Sequence, residues 1–432
     1  MTQLAAPRHP DVPVTGTDWF LHAFDQGMQR RGDQGNVCHL VLRLDAPLDP
    51  NQLDEAVHRA TWLHDLAALR LRHGLLRRPT WRHDPRAPAV EVRRATLDSL
   101  ETLAEALPTR PIDLTRDAPL WLTHLRAPDG EAVVLTFHHA AMDARGAELT
   151  LARLGGLLPT PGHDEVPLTV STDPRTLGAR LRSAKLARDS VLRFSLGPLR
   201  YLAPRRLTHP ARLRYRRFAL TAAQTLTVTQ TAQAHGASLG AAAFLLVAVA
   251  RALRDATAQR VPAGGDFLVP MPLDRRARNA LGPLLGNQVS LLFYRLDRDA
   301  LDDLTASVRA VLEQMRSHVR SGLPEAFETL LGMCRALPAG LLRAIVSLPT
   351  LGRMASFGFS DTGSTLQRLD RFLDLPVTDA WHLPGNLHPP GVTVICSRHG
   401  GRLSFSLAWL HGTLSDAELR DFEAGLRSLL GL

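Results

Sequence analysis

The sequence predicts a mixed α/β protein with more than one hydrophobic core. Apolar residues recur at period two in some segments and at helical spacing in others, and the two kinds of segment alternate along the chain. The chain has 432 residues, 45% of them hydrophobic and 22% charged, which is more apolar material than one core usually organises. The longest apolar run, residues 237–250, contains Ser238 and Gly240 and stops at Arg251, so it reads as a buried helix and not a membrane span.

Taken in order, Cys38, Leu40, Leu42 and Leu44 share one face of a strand. Asp49, Pro50 and Gln52 then supply a cap, a first-turn proline and a capping-box partner for a helix striped by Leu53, Val57, Ala60 and Leu63. Residues 68–71 form a second strand. Asp98 with Glu101 caps a helix bearing Leu100, Leu103 and Leu107. Residues 119–122 and 133–137 flank the turn Asp129-Gly130 as two strands, the second apolar on both faces and therefore central. Residues 146–154 follow as a helix. Prolines, glycines and basic residues thicken between 159 and 210, with a helix around 177–194, and this stretch reads as a connection between two lobes.

Thr221 with Gln224 caps the next helix, His235-Gly236 interrupts it, and Ser238 begins the long buried helix ending near Leu253. Strands over 267–271 and 289–294 bracket an Arg-rich loop, and a helix covers 301–319. A hairpin pairs 392–396 with 403–409 around His399, Gly400 and Gly401, and a helix capped by Ser415 and Glu418 closes the chain. The division is therefore 1–165, a connection over 166–212, and 213–432. Apolar residues in 337–354 belong to the core or line a channel.

Charge and cysteine usage exclude several classes. The formal charge is +9, and Lys185 is the only lysine, so the excess is guanidinium. The basic stretch 205–217 has one aromatic, Tyr215, and 275–278 has none; neither offers the stacking surface of a nucleic-acid binder. Cys38, Cys334 and Cys396 lack any metal-binding or disulfide spacing. Residues 1–13 lack the apolar stretch of a signal peptide, and a cytoplasmic monomer is expected. Ala263-Gly264-Gly265 lacks the Lys and Ser or Thr of a phosphate loop.

One local pattern demands chemistry: His138, His139 and Asp143 at the end of the central strand. Adjacent strand residues point to opposite faces, so only one imidazole can face a shared cavity. The pair is a poor metal site, no third ligand follows at suitable spacing, and no metal is expected. A neutral imidazole can instead take a proton from an attacking hydroxyl or amine.

His138-His139-x-x-x-Asp143, preceded by Pro119-Leu120-Trp121 and followed in order by Asp274-Arg275-Arg276, Gly286-Asn287 and Ser360-Asp361-Thr362-Gly363, resembles the CoA-dependent acyltransferase superfamily. That group includes chloramphenicol acetyltransferase, the condensation domains of peptide synthetases, wax ester synthases and polyketide-associated acyltransferases. The resemblance implies two chloramphenicol acetyltransferase-like lobes in one chain, a pseudo-dimer with a channel between them, and donor and acceptor entering from opposite faces. It implies His139 as the catalytic base, His138 as structural, and Asp143 paired with an arginine of the second lobe, Arg276 or, in reserve, Arg275. Ser360 or a neighbouring amide would meet the oxyanion, with Gly363 also substrate-binding. The co-substrate would be acyl-CoA or acyl-phosphopantetheine on a carrier protein, and the acceptor a small hydroxyl or amine compound; no tightly bound cofactor is implied.

Departures from the pattern are Ala144 for the usual glycine after the aspartate, Asp361 where relatives often carry Asn, and Ser356-Phe357-Gly358-Phe359-Ser360 as a loose echo of the plant signature DFGWG. They leave a second expectation open, a catalytically silent module that binds carrier protein or acyl ligands.

Overall fold

The computed structural model describes residues 11–74, 77–107, 110–160, 175–203, 210–238, 240–260, 264–277, 279–385 and 387–432. Residues 166–174 and 204–209 of the connecting segment 166–212, and Arg278 of the Arg-rich loop, lie outside them.

The first large sheet has six strands in the order Arg371–Phe372, Leu375–Leu383, Val37–Leu44, Gly130–His138, Leu120–Ala127 and Val92–Thr96. Neighbours are antiparallel except the last pair. Val37–Leu44 and Gly130–His138 lie at the centre, and both are buried on each face. That is why the second of them reads as a continuous apolar run rather than an alternating one. One face packs Leu40, Leu42 and Leu135 against Trp19, Phe20 and Leu53 of the covering helices; the other packs Val41, Val134 and Trp381 against Leu100 and Leu103.

The second sheet runs Gly358–Asp361, Val392–His399, Arg402–Leu410, Leu213–Ala219. Its core closes around the helix Ala242–Ala256, whose residues from Ala243 to Ala250 are all buried. The hairpin turn at Gly400 and Gly401 has φ +54° and +72°, the left-handed pair a two-residue turn requires. A separate antiparallel ribbon, Phe267–Asp274 with Val289–Leu296, carries the loop that reaches the first sheet.

The two halves interlock. Leu375–Leu383, from the span assigned by sequence to the second lobe, completes the first sheet by pairing with Val37–Leu44. On the other side, helix Gly16–Gln29 packs on helices Leu323–Cys334 and Ala339–Ser347.

Local signals placed most elements correctly, with three corrections. The helix expected to carry Leu53, Val57, Ala60 and Leu63 is two, Pro50–Arg59 and Thr61–Ala67, parted at Ala60, whose backbone leaves the helical region. Asp98 does not cap the segment after it: Ser99 accepts from the Glu101 amide, and a 3-10 turn Leu100–Thr102 precedes a short helix, Leu103–Ala106. Ser99 is held there by Asp129, which also accepts from the Leu100 amide. Ser238 does not start the long helix, which begins at Ala242 after Ala241 with no side-chain cap. Its end needs none, because burial of its flank supplies the stability that a cap gives an exposed helix.

The helix Gly16–Gln29 begins where a side chain cannot fit. A Cβ on Gly16 would stand 2.4 Å from the Gly332 nitrogen and 2.4 Å from the Leu331 carbonyl carbon, both backbone. We expect Gly16→Ala to force the helices apart and cost about 1–3 kcal/mol, read as a lowered urea midpoint with an unchanged slope. An unchanged midpoint would show that the close approach does not exist in solution.

Candidate active site

The central strand Gly130–His138 ends in the motif, and the two imidazoles part there. His138 is buried, accepts the Ala140 amide at Nδ1 (3.0 Å) and sets Nε2 3.0 Å from the Asp25 carboxylate. Asp25 also accepts the Asn36 amide (2.6 Å). Burial works against its charge, but His138 and that amide hold its pKa below the ordinary carboxylate range.

His139 is half-buried and lines a cavity. Its Nδ1 lies 3.3 Å from the Met142 carbonyl, which can only accept, so Nδ1 carries the hydrogen and Nε2 the lone pair. Burial pulls its pKa below the usual 6.5, against the opposing influence of the Asp143 charge and the Met142 carbonyl. The imidazole is thus kept neutral, the form a general base needs.

Asp143 anchors the turn. It caps helix Ala144–Leu154 by accepting the Gly146 amide (2.8 Å). Its two oxygens take Nη1 and Nη2 of Arg276 at 2.9 and 3.0 Å, and one also takes the Gln288 amide at 2.8 Å. Both side chains are about 3% exposed, so the pair is shielded from water. Burial would lower the Arg276 pKa, but the carboxylates of Asp143 and Asp274 raise it. Arg276 also donates to the Pro283 carbonyl (3.0 Å). Arg275 turns away to Glu328 (3.0 Å), which leaves Arg276 as the partner.

A second clasp lies beside the first. Asn287 donates Nδ2 to the His139 carbonyl (2.7 Å) and to Asp18 Oδ1 (2.9 Å), while its own amide donates to the same oxygen (2.7 Å). Burial pushes the Asp18 pKa up to about 6 despite these bonds and those from Thr15.

The cavity between the halves encloses about 270 Å³. Phe20, Leu21 and Phe137 line it from one side and Val289, Leu291 and Phe359 from the other, with His139 among them. Its wall is mostly hydrocarbon, broken by polar groups, as in small-molecule sites generally.

No family model matches the chain, and no curated protein matches it in sequence. Solved structures do. The first condensation domain of the calcium-dependent antibiotic synthetase, in complex with a substrate analogue, superposes with TM-score 0.70 at 16% identity, over 98% of this chain and 96% of that one. Polyketide synthase associated protein 5 from Mycobacterium tuberculosis gives 0.63 at 16%, over 98% of each. Trichothecene 15-O-acetyltransferase from Fusarium sporotrichioides gives 0.71 at 11%, over 97% and 94%.

The chain has the CoA-dependent acyltransferase fold. Within this fold the departures noted in the sequence acquire physical reasons. Ala144 is the first residue of a helix and has no positive φ, so nothing there requires glycine. The crowded position is Gly146, where a Cβ would lie 2.5 Å from the Leu284 carbonyl oxygen. Asp361 is matched by Arg398 at 2.5 Å, which accommodates a charge where an amide would otherwise sit.

Ser360 lines the cavity on the strand Gly358–Asp361. Gly363 is not among the cavity-lining residues; its amide donates to Asp361 Oδ1 (3.0 Å), and its φ of +67° marks a turn. Met354, from the stretch left open between core and channel, lines the cavity, while Leu342 is core.

Sequence reasoning missed Asp18 and Asp25. Thr15 and Asp18 form a capping box, a visible signal for the helix start, but nothing local says that Asp18 also grips Asn287. It missed too a trio on the cavity wall, buried Glu148 with buried His382 (3.1 Å) and half-buried Arg145 (3.2 Å).

Asp18 makes stability depend on pH. Its folded pKa lies above its ordinary 3.8, so between 3.8 and about 6 the folded chain holds a proton the unfolded chain has released, and stability falls as pH rises through that window. Asn287→Ala removes a bond that favours the carboxylate. The decline should then extend above pH 6 and deepen, measured by urea unfolding at pH 5, 6 and 7; parallel curves for variant and parent would contradict the clasp.

Proposed function

We propose that the chain transfers an acyl group from a thioester, on CoA or on a carrier-protein phosphopantetheine, to a hydroxyl or amine. The observation that carries this reading is the His139 tautomer: with Nδ1–H committed to Met142, a basic Nε2 is presented at an apolar cavity between two lobes.

In the proposed step, the acceptor oxygen or nitrogen attacks the thioester carbonyl carbon while Nε2 takes its proton. The resulting oxyanion collapses, the carbon–sulfur bond breaks, and the thiolate leaves with the proton from the imidazolium. A thiol has a pKa of about 8.5, so the leaving group needs little assistance. One base then suffices, with no acyl-enzyme intermediate. Ser360 is the proposed donor to the oxyanion, from the wall it shares with the cavity. Asp143 accepts from Arg276, Gly146 and Gln288, not from His139, and so acts as a positioning residue.

His139→Ala should reduce transfer by about 10²–10⁴-fold with an unchanged unfolding midpoint, in an assay of acyl-CoA and acyl-carrier donors against mixed alcohols and amines. Full activity in that variant would end the proposal. The rate should fall on acidification with an apparent pKa below 6.5, because burial depresses the imidazole. Asp143→Asn removes a charge that raises the His139 pKa, so the acid limb should move to still lower pH. A limb that stays in place, or moves up, would show that another group sets it.

A further inference from the structure

We propose that the outer face formed by the helix Leu177–Ser195 and the segment 339–351 docks on an anionic lipid bilayer. Large apolar side chains exposed to solvent gather there. The helix presents Leu177, Leu181 and Leu192, with Leu196 just beyond its end, and the second segment presents Leu341, Ile345, Leu348 and Leu351. Leu348 is 71% exposed and Leu351 88%, the extremes among the described large hydrophobes. The turn Leu348–Thr350 packs against the helix, so the two sets lie side by side on the surface. A contiguous exposed apolar patch of this kind marks a contact surface.

Charge selects the partner. Residues 175–196 and 335–353 contain nine arginines and lysines and one acid, Asp189, and of the nine Arg335 turns inward to the Val14 carbonyl (2.8 Å). Lys185 and Arg188 share Asp189 at 2.6 and 2.7 Å; Arg182, Arg193 and Arg353 are exposed. Basic residues interleaved with protruding leucines match the two forces of interfacial binding, apolar insertion and attraction to anionic headgroups.

Shape favours lipid over a folded protein. Leu351 stands at the tip of a turn with φ +52°, followed by Gly352 at +84°. A side chain projecting from such a tip enters a deformable phase readily, whereas a protein partner would have to offer a matching hollow. The location has a use as well. Met354 and Ala355, three and four residues after the tip, line the cavity, and helix Ala339–Ser347 packs on the helix that contributes Phe20 and Leu21 to its wall. The contact would therefore bring the cavity close to a source of apolar substrate, a consequence that rests on the transferase reading; the docking itself does not.

The test is co-sedimentation of the full chain with vesicles of phosphatidylglycerol and phosphatidylcholine in equal parts, and with phosphatidylcholine alone. The parent should bind the mixed vesicles, bind the neutral ones at least about tenfold more weakly, and be released by salt. The double variant Leu348→Glu/Leu351→Glu alters only exposed side chains and should keep its unfolding midpoint while losing at least tenfold in vesicle affinity. Equal binding by parent and variant, or no binding by the parent, would overturn the proposal. So would a lipid-free dimer that the double variant dissociates, since that assigns the face to a second copy. Vesicle binding requires no turnover, so its failure and a failure of the transfer reaction are separately visible.

Discussion

The shielded pair between Asp143 and Arg276 is the contact on which the site depends. One carboxylate caps a helix, receives both arms of a guanidinium from the other half of the chain, and takes the amide of Gln288. Removing either member of such a buried pair typically costs about 3–5 kcal/mol, because the survivor keeps its charge without its partner. A hydrophobic replacement of both could be as stable, so the pair is better understood as a device for registration than as a reserve of stability. It fixes where the ribbon loop meets the end of the central strand.

Helix Gly16–Gln29 completes the clamp from the other side. Asp18 and Asp25 are seven residues apart, two turns, and so face the same way. Asp18 holds Asn287, whose amide group holds the His139 carbonyl. Asp25 holds the His138 ring and the Asn36 amide, and the Asn36 carbonyl accepts from the His139 amide (2.9 Å). The backbone of His139 is thus fixed at both its N–H and its C=O, each through an aspartate of one helix. Only the ring remains to be oriented, and the Met142 carbonyl does that. The position of the His139 ring is thus set by bonds to its own backbone from several separate elements, the kind of support that preorganises a site.

Much of this was legible in the chain itself, and the reasons differ by element. Caps such as Asp49, Thr221 and Ser415 act within three residues, so their helices could be read locally. The burial of Gly130–His138 on both faces follows from its consecutive apolar residues Ala132, Val133, Val134 and Leu135, with Phe137 beyond Thr136. The strand Leu375–Leu383 could not be placed, because its partner Val37–Leu44 lies more than three hundred residues away and its edge pattern is not distinctive. The Asp143–Arg276 pairing came from a resemblance in motif order, not from spacing; spacing alone could not choose between Arg275 and Arg276. Whether Gly363 lines the cavity was not legible, because a turn beside a cavity-lining strand carries the same residue types as a binding loop.

The most direct measurement of the central claim is a double-mutant cycle on folding stability, using Asp143→Ala, Arg276→Ala and the pair together. A buried, bidentate contact predicts that each single change is strongly destabilising and that the double change costs far less than their sum, with a coupling of about 2–3 kcal/mol. Additive losses, with no coupling between the two positions, would contradict it.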